Sequence, residues 1–270
     1  MTFPGANADR GTGAYAIVGA PLDVSTTFQP GARFGPERVR RFSRSFEDYD
    51  PETDGRFSGR DVYDHGDVGA VGAIDDAEEY LTFLEGELAD LRTDGLTPLL
   101  LGGEHTVSIA GVRAVDPDVF VCLDAHLDLR EEYAGDSYSH STVTHHSLDV
   151  ADRAVIVGAR AGSEAEYERA SEVDVTVVPP EDVSEWTPEF GGESVYLSVD
   201  IDAADPGFAP GTGTMEPFGL RPREIRRVVR GVAPHAAGFD VVEVNDRDDG
   251  QAAALAGKLL RAFVFARADS

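Results

Sequence analysis

Apolar residues fall along this chain in short bursts, and the longer stretches between them carry apolar residues at helical spacing. Residues 14–19, Ala-Tyr-Ala-Ile-Val-Gly, form the first burst and predict a strand. Further strands are predicted at 97–101, 119–123, 154–157, 173–178, 195–201 and 238–244, with a weaker one around Val62. A helix starts at Gly35, with Pro36 in its first turn, where a missing N–H costs nothing. From Asp75 to Leu91, residues Ala77, Tyr80, Leu81, Leu84 and Leu88 recur close to helical spacing. Another helical stretch begins near Thr106, and the last runs from Gln251 to about Ala266. Strands alternating with helices imply an α/β fold with a mostly parallel central sheet covered on both faces. No internal repeat, low-complexity tract or linker interrupts the pattern, which predicts a single domain over residues 1–270. The Gly/Ala/Asp-rich residues 1–13 are expected to form a loose, flexible arm.

The informative polar residues sit where these bursts stop. The predicted strand 119–123 runs into Asp124, Ala125, His126, Leu127 and Asp128. A strand sends alternate side chains to one face, so Asp124, His126 and Asp128 are expected to point together. Ser198-Val-Asp200-Ile-Asp202 repeats the device with two more carboxylates. Such a group would repel itself without cations between its members. His105 follows Gly102 and Gly103, a pair that permits a sharp turn after a strand. Each of these groups ends a strand, and parallel sheets place ligands beyond such ends. Two imidazoles and four carboxylates without a thiolate favour Mn²⁺, with Zn²⁺, Fe²⁺ and Co²⁺ also compatible. There are too many carboxylates for one ion. Two ions roughly 3.5–4 Å apart could share aspartates and hold a hydroxide that is nucleophilic at neutral pH. His140, in Tyr138-Ser-His-Ser-Thr, sits at a loop-to-helix junction and could be a ligand, a proton shuttle or a helix-end residue. His65 and His235 read as surface or loop residues.

Charge narrows the partners. Acidic residues number 50 against 23 basic ones, giving a formal charge of −27, and Lys258 is the only lysine. Nucleic acid and anionic membranes require basic patches, so neither is expected as a partner. An acidic excess spread along the whole chain predicts a surface adapted to high salt. The single cysteine, Cys122, excludes an intrachain disulfide and lies in an apolar strand, where packing is its expected role. No leader pattern opens the chain and no apolar run approaches about 18 residues, so a soluble, cytoplasmic protein is expected.

Taken together, Gly102-Gly-Glu-His105, Asp124-Ala-His-Leu-Asp128 and Ser198-Val-Asp-Ile-Asp-Ala-Ala-Asp-Pro-Gly-Phe-Ala-Pro-Gly211, with Gly219 downstream, resemble in order the signatures of the arginase/agmatinase (ureohydrolase) family. Val18-Gly-Ala-Pro-Leu-Asp23, Phe28-Gln-Pro-Gly-Ala-Arg-Phe-Gly-Pro36, Gly66-Asp-Val68 and Asp240-Val-Val-Glu-Val-Asn245 are similar to other family segments, so the likeness spans nearly the whole chain. The resemblance implies a three-layer α/β/α sandwich. It implies two Mn²⁺ ions, one held by His105, Asp124, Asp128 and Asp200, the other by His126, Asp124, Asp200 and Asp202. Glu243 matches the carboxylate that binds a guanidinium group, and His140 matches a proton-transfer position. The implied reaction is attack by a bridging hydroxide on the guanidinium carbon, with Asp128 and His140 relaying a proton to the departing amine. A homotrimer, or a hexamer of such units, is also implied.

Substrate choice is expected to lie in the loop after Asp128. Its sequence resembles agmatinases, and Glu131, Glu132 and Asp136 would disfavour a substrate carboxylate. Agmatine, cleaved to putrescine and urea, is therefore the expected substrate. Aminopropylagmatine, arginine, guanidinobutyrate and formiminoglutamate are the alternatives, and a basic residue reaching the pocket would favour those with a carboxylate. A non-catalytic metal-binding relative is the reading from another class. Ser141, Thr144, His145, Met215 and Phe218 depart from the family pattern and are expected near the pocket.

Overall fold

The computed structural model describes residues 1–69 and 76–268. Ten strands are present: β1 (Tyr15–Ala20), β2 (Tyr49–Asp50), β3 (Gly55–Arg56), β4 (Val62–Asp67), β5 (Thr97–Gly102), β6 (Val119–Leu123), β7 (Arg153–Val157), β8 (Val175–Val178), β9 (Val195–Asp200) and β10 (Ala236–Val242). Seven helices accompany them: α1 (Gly35–Phe42), α2 (Ala77–Thr93), α3 (Val107–Val115), α4 (Val143–Ser147), α5 (Glu164–Ala170), α6 (Pro222–Val232) and α7 (Gln251–Ala268). Strands β2 and β3 form a small antiparallel hairpin. The other eight make one sheet in the order β4-β1-β5-β10-β9-β6-β7-β8, and every pairing among them is parallel.

Alternation along the strands divides the core into two layers. Ile17, Leu99, Leu101, Val121, Leu197 and Phe239 pack on one face with Val39 of α1, Val228 of α6 and Leu260 of α7. Ala16, Val18, Leu100, Phe120 and Tyr196 face the other way, against Leu84 of α2 and Val112 of α3. With both faces covered, β1, β6 and β9 are buried at every position, which explains why they read as continuous apolar runs. The architecture is the expected three-layer α/β/α sandwich. Helix α2 begins where the Asp76 side chain accepts the Glu79 N–H at 2.9 Å; Asp75 lies outside the described residues.

Residues 1–13 differ from the loose arm that composition suggested. Phe3 is 1% exposed, packs with its ring tilted against Phe57 at 5.6 Å between centroids, and donates its N–H to Asp64 Oδ2 at 2.6 Å. Ala8 donates to Val62 O at 3.0 Å. Edge strand β4 offers free backbone groups and Phe57 an apolar seat, and neither is visible in local composition. Among the described residues, no helix is long and apolar enough to cross a membrane.

Register aligns the chemistry. Leu101, Val241, Val199 and Leu123 sit abreast on β5, β10, β9 and β6. One residue further on, the same row reads Gly102, Val242, Asp200 and Asp124. The six candidate ligands thus emerge from the carboxyl ends of β5, β9 and β6, and Glu243 from that of β10 between them.

Candidate metal centre

Beyond Leu123 the chain leaves the sheet, so strand alternation is not what gathers Asp124, His126 and Asp128. His126 forms an isolated bridge with Ala161, and Asp128 takes a left-handed φ of 49°. The convergence comes from short turns: Asp124 Oδ1 accepts the His126 N–H at 2.6 Å, as Asp200 Oδ1 accepts that of Asp202 at 2.8 Å. Asp202 Oδ1 then accepts the Ala125 N–H at 3.0 Å, tying the two turns together. Ile201, expected as strand, begins a 3₁₀ turn.

Two donor clusters result. Around His105 Nδ1 stand Asp128 Oδ2 at 2.7 Å, Asp124 Oδ2 at 3.1 Å and Asp200 Oδ2 at 3.7 Å. Around His126 Nδ1 stand Asp202 Oδ2 at 3.0 Å and Asp124 Oδ1 at 3.5 Å. Donors sharing one ion at bonds of roughly 2.1 Å lie about 3 Å apart at right angles, so both clusters have the spacing of a coordination shell. Asp124 turns one oxygen to each cluster, the geometry of a bridging ligand. These donors fit a pair of divalent cations.

The electrostatics fit as well. Burial, reinforced by Asp202 and Asp124, drives the Asp200 carboxyl well above the ordinary range. Burial and Asp124 push Asp128 up to about 7. Burial opposes ionisation of Asp124, but His105 and His126 overcome it and hold that carboxyl low. Burial also works against a charged His126, yet Asp202 and Asp124 raise it above the usual imidazole range. Gathering these carboxylates in a buried place favours positive charge beside them. Cys122 Sγ lies 3.6 Å from His105 Nε2 and 3.7 Å from Asp124 Oδ2, against the rear of the donor cluster. Burial raises its thiol, which leaves it a packing neighbour.

His105 is oriented from behind. Asp240 is fully buried and accepts from Tyr196 Oη at 2.8 Å and from Ser198 Oγ at 2.6 Å. Ser198 Oγ lies 3.1 Å from His105 Nε2. With its proton given to the carboxylate, Ser198 accepts from Nε2–H and leaves Nδ1 to face the carboxylates.

A cavity of about 330 Å³ opens over this centre, lined by His105, His126, Asp128, Asp200, Asp202 and Glu243 below and by His140, Arg130, Tyr133 and Glu166 above. Glu243 follows β10 with a left-handed φ of 60°, and its Oε1 accepts the His105 N–H at 2.9 Å. Burial, with Glu104 nearby, pushes Glu243 up to about 8. Burial holds the His140 imidazole below its ordinary value. Asp128 and Glu243 are two of the seven non-glycine residues with left-handed backbone among the described residues.

Several expectations change here. Glu131, Glu132 and Asp136 are exposed and do not line the cavity, and Glu131 instead pairs with Arg169 at 2.6 Å. The loop's contributions are Arg130 and Tyr133, with Arg130 held 3.2 Å from Glu166 Oε2. Of the five departures from the family pattern, only Ser141 lines the cavity. Thr144 is buried, donating its N–H to Asp128 O at 2.9 Å, and His145 contacts Arg169. Met215 and Phe218 are exposed outside it. His65 lies half-buried on β4, while His235 is exposed.

Sequence reasoning missed Arg160. It donates to the carbonyls of Asp202, Ala203, Ala204, Glu216 and Pro217, fixing the loop that follows β9. A Cβ at Gly219 would meet Arg160 Nη2 at 2.5 Å and the Asp205 backbone N at 2.6 Å, so the downstream glycine makes room for that arginine and for the loop backbone it holds. Nothing local in the sequence marks Arg160, because its partners are distant backbone carbonyls.

The comparisons agree with this geometry. The arginase family profile matches residues 14–266. An agmatinase of Bacillus anthracis is 35% identical over 240 residues, covering 84% of this chain and 82% of that protein. An N(1)-aminopropylagmatine ureohydrolase of Thermococcus kodakarensis is 34% identical over 259 residues, covering 91% and 88%. The crystal structure of the agmatine ureohydrolase of Thermoplasma volcanium superposes with a TM-score of 0.92 at 30% identity, over 98% of this chain and 94% of that one. On profile, identity and superposition alike, this chain belongs to the arginase family.

Proposed function

We propose that this protein is an agmatinase-type ureohydrolase that cleaves agmatine to putrescine and urea with two Mn²⁺ ions. The carrying observation is the pair of donor clusters joined by Asp124, with Glu243 on the same cavity floor. His105, Asp124, Asp128 and Asp200 would hold one ion, and His126, Asp124, Asp200 and Asp202 the other. Bound there, the metal pair supplies Lewis acidity and an activated water at neutral pH. Glu243 supplies the carboxylate that orients the planar guanidinium by charge-assisted hydrogen bonds. The departing amine must be protonated, and Asp128 and His140, both at the cavity wall, are the groups assigned to move that proton. The names of the relatives support agmatine as the substrate.

One observation favours a second reading: Arg130 reaches the cavity, as a substrate bearing a carboxylate would require. Its ion pair with Glu166 counters this by neutralising it in place. A urea-release panel with Mn²⁺ in high salt, comparing agmatine, aminopropylagmatine, arginine and guanidinobutyrate, decides between them. Agmatine should give the highest kcat/KM. Preference for a carboxylate-bearing compound would move the assignment to that substrate, and no urea from any compound would end the hydrolase reading.

A further inference from the structure

Glu104 stands beside His105 in the Gly102-Gly-Glu-His105 motif, yet the reaction above gives it no part. It is fully buried. Its Oε2 accepts the Ser25 N–H at 2.8 Å and the Thr26 hydroxyl at 3.3 Å. Its Oε1 accepts the hydroxyls of Ser25 and Thr106, each at 3.0 Å. Four donors around one enclosed carboxylate make a socket, and Ser25 supplies two of them from a loop far away in sequence.

Ser25 also reaches His140. Its Oγ accepts the His140 backbone N–H at 3.0 Å and lies 3.2 Å from His140 Nδ1. Donor and acceptor counts fix the direction of the second contact. A serine hydroxyl has one proton, and Glu104 in its ionised form, which the four donors favour against burial, can only accept. Of the other acceptors near that hydroxyl, Thr106 Oγ1 lies farther away, at 3.3 Å, and is uncharged. The Ser25 proton therefore goes to Glu104, and the contact with His140 requires Nδ1 to be the donor. Ser139 Oγ, 3.3 Å from the same nitrogen, has a hydroxyl that accepts from Nδ1–H in this tautomer and would donate to Nδ1 in the other. The ring lines the cavity with Nδ1 engaged behind it.

We propose that Glu104 and Ser25 are positioning residues that hold His140 in its Nδ1–H tautomer, so that Nε2 is presented to the cavity as a bare proton acceptor. An unconstrained imidazole prefers the opposite tautomer, whose Nε2 carries the proton and cannot accept one. The chain Glu104–Ser25–His140 repeats the logic of Asp240–Ser198–His105, with the free nitrogen assigned to a proton instead of a metal. The effect on rate rests on the proposed hydrolase reading, whereas the tautomer itself does not.

The test is nitrogen NMR of protein with ¹⁵N-labelled histidine rings, loaded with Zn²⁺ because Mn²⁺ is paramagnetic, with the His140 signals assigned through His140→Asn. Wild type should show a protonated Nδ1 and an unprotonated Nε2. Ser25→Ala and Glu104→Gln should move His140 toward the Nε2–H form. With Mn²⁺, kcat for urea release should fall about tenfold or more while KM stays within about twofold. Ser25→Thr, which keeps the hydroxyl, should restore both the tautomer and the rate. An Nε2–H tautomer in wild type would overturn the proposal even if every variant failed to fold. An unchanged tautomer in folded Ser25→Ala would do the same. Absence of urea release with the Nδ1–H tautomer present would instead strike the hydrolase reading alone.

Discussion

His105 Nδ1 and Asp128 Oδ2 stand 2.7 Å apart although the strands they follow, β5 and β6, are separated in the sheet by β10 and β9. The contact arches over two strand ends, and the left-handed backbone at Asp128 turns the loop inward to make it. Asp200, at the end of β9 beneath this arch, is within reach of the same nitrogen at 3.7 Å.

Removing the group under the arch is the most direct test of the centre. Asp200→Ala should lose bound metal by elemental analysis and lose detectable urea release, while circular dichroism shows the fold retained. Wild-type metal content and rate in that variant would refute a shared ligand.

The metal-free protein should become less stable as pH rises. Asp128 and Glu243 titrate at about 7 and about 8 in the fold, against roughly 4 when unfolded. Between those values the native state binds more protons than the unfolded state, so the stability these two carboxyls contribute is full below about pH 4 and is lost as pH rises through 7 to 8. The Tm without metal should be lower at pH 8 than at pH 5.5. Added Mn²⁺ should raise it more at pH 8, where fewer protons compete for the ligands. Equal metal-induced shifts at both pH values would contradict this.

Asp240 never touches the donor cluster, yet it should matter to it. Asp240→Ala removes the acceptor that commits the Ser198 proton, and metal affinity should weaken by roughly 10–100-fold. Competition with a chelator measures this directly. An unchanged affinity with lowered thermal stability would reduce Asp240 to a packing role.

Salt should support folding. With 50 acidic against 23 basic residues, self-repulsion in dilute buffer favours expansion of the chain. Circular dichroism should show full structure in multimolar KCl and partial loss in low salt. Full folding in dilute buffer would leave the charge without that role.

Much of the fold was legible because buried parallel strands carry their own signal. Strand β6 falls where the apolar run 119–123 predicts it, and α2 follows the spacing of Tyr80, Leu81, Leu84 and Leu88. All six predicted metal ligands gather at one centre. Strand alternation does not gather them; turns at Asp124 and Asp200 do. Long-range partners escaped altogether. Ser25 meets Glu104 and His140, and Phe3 meets Phe57, only after the chain has folded back on itself. Surface acidity also misled, because the acids of the 131–136 loop point to solvent while Arg130 turns inward.

The row Gly102, Val242, Asp200 and Asp124 makes the centre a gauge of strand alignment. Sliding β6 or β9 by one residue would carry a ligand about 3.3 Å along the strand and reverse the facing of every side chain on it. Neither donor cluster would then close. A cation that bound only the closed clusters would favour the aligned sheet over its shifted neighbours, tying strand register to metal occupancy.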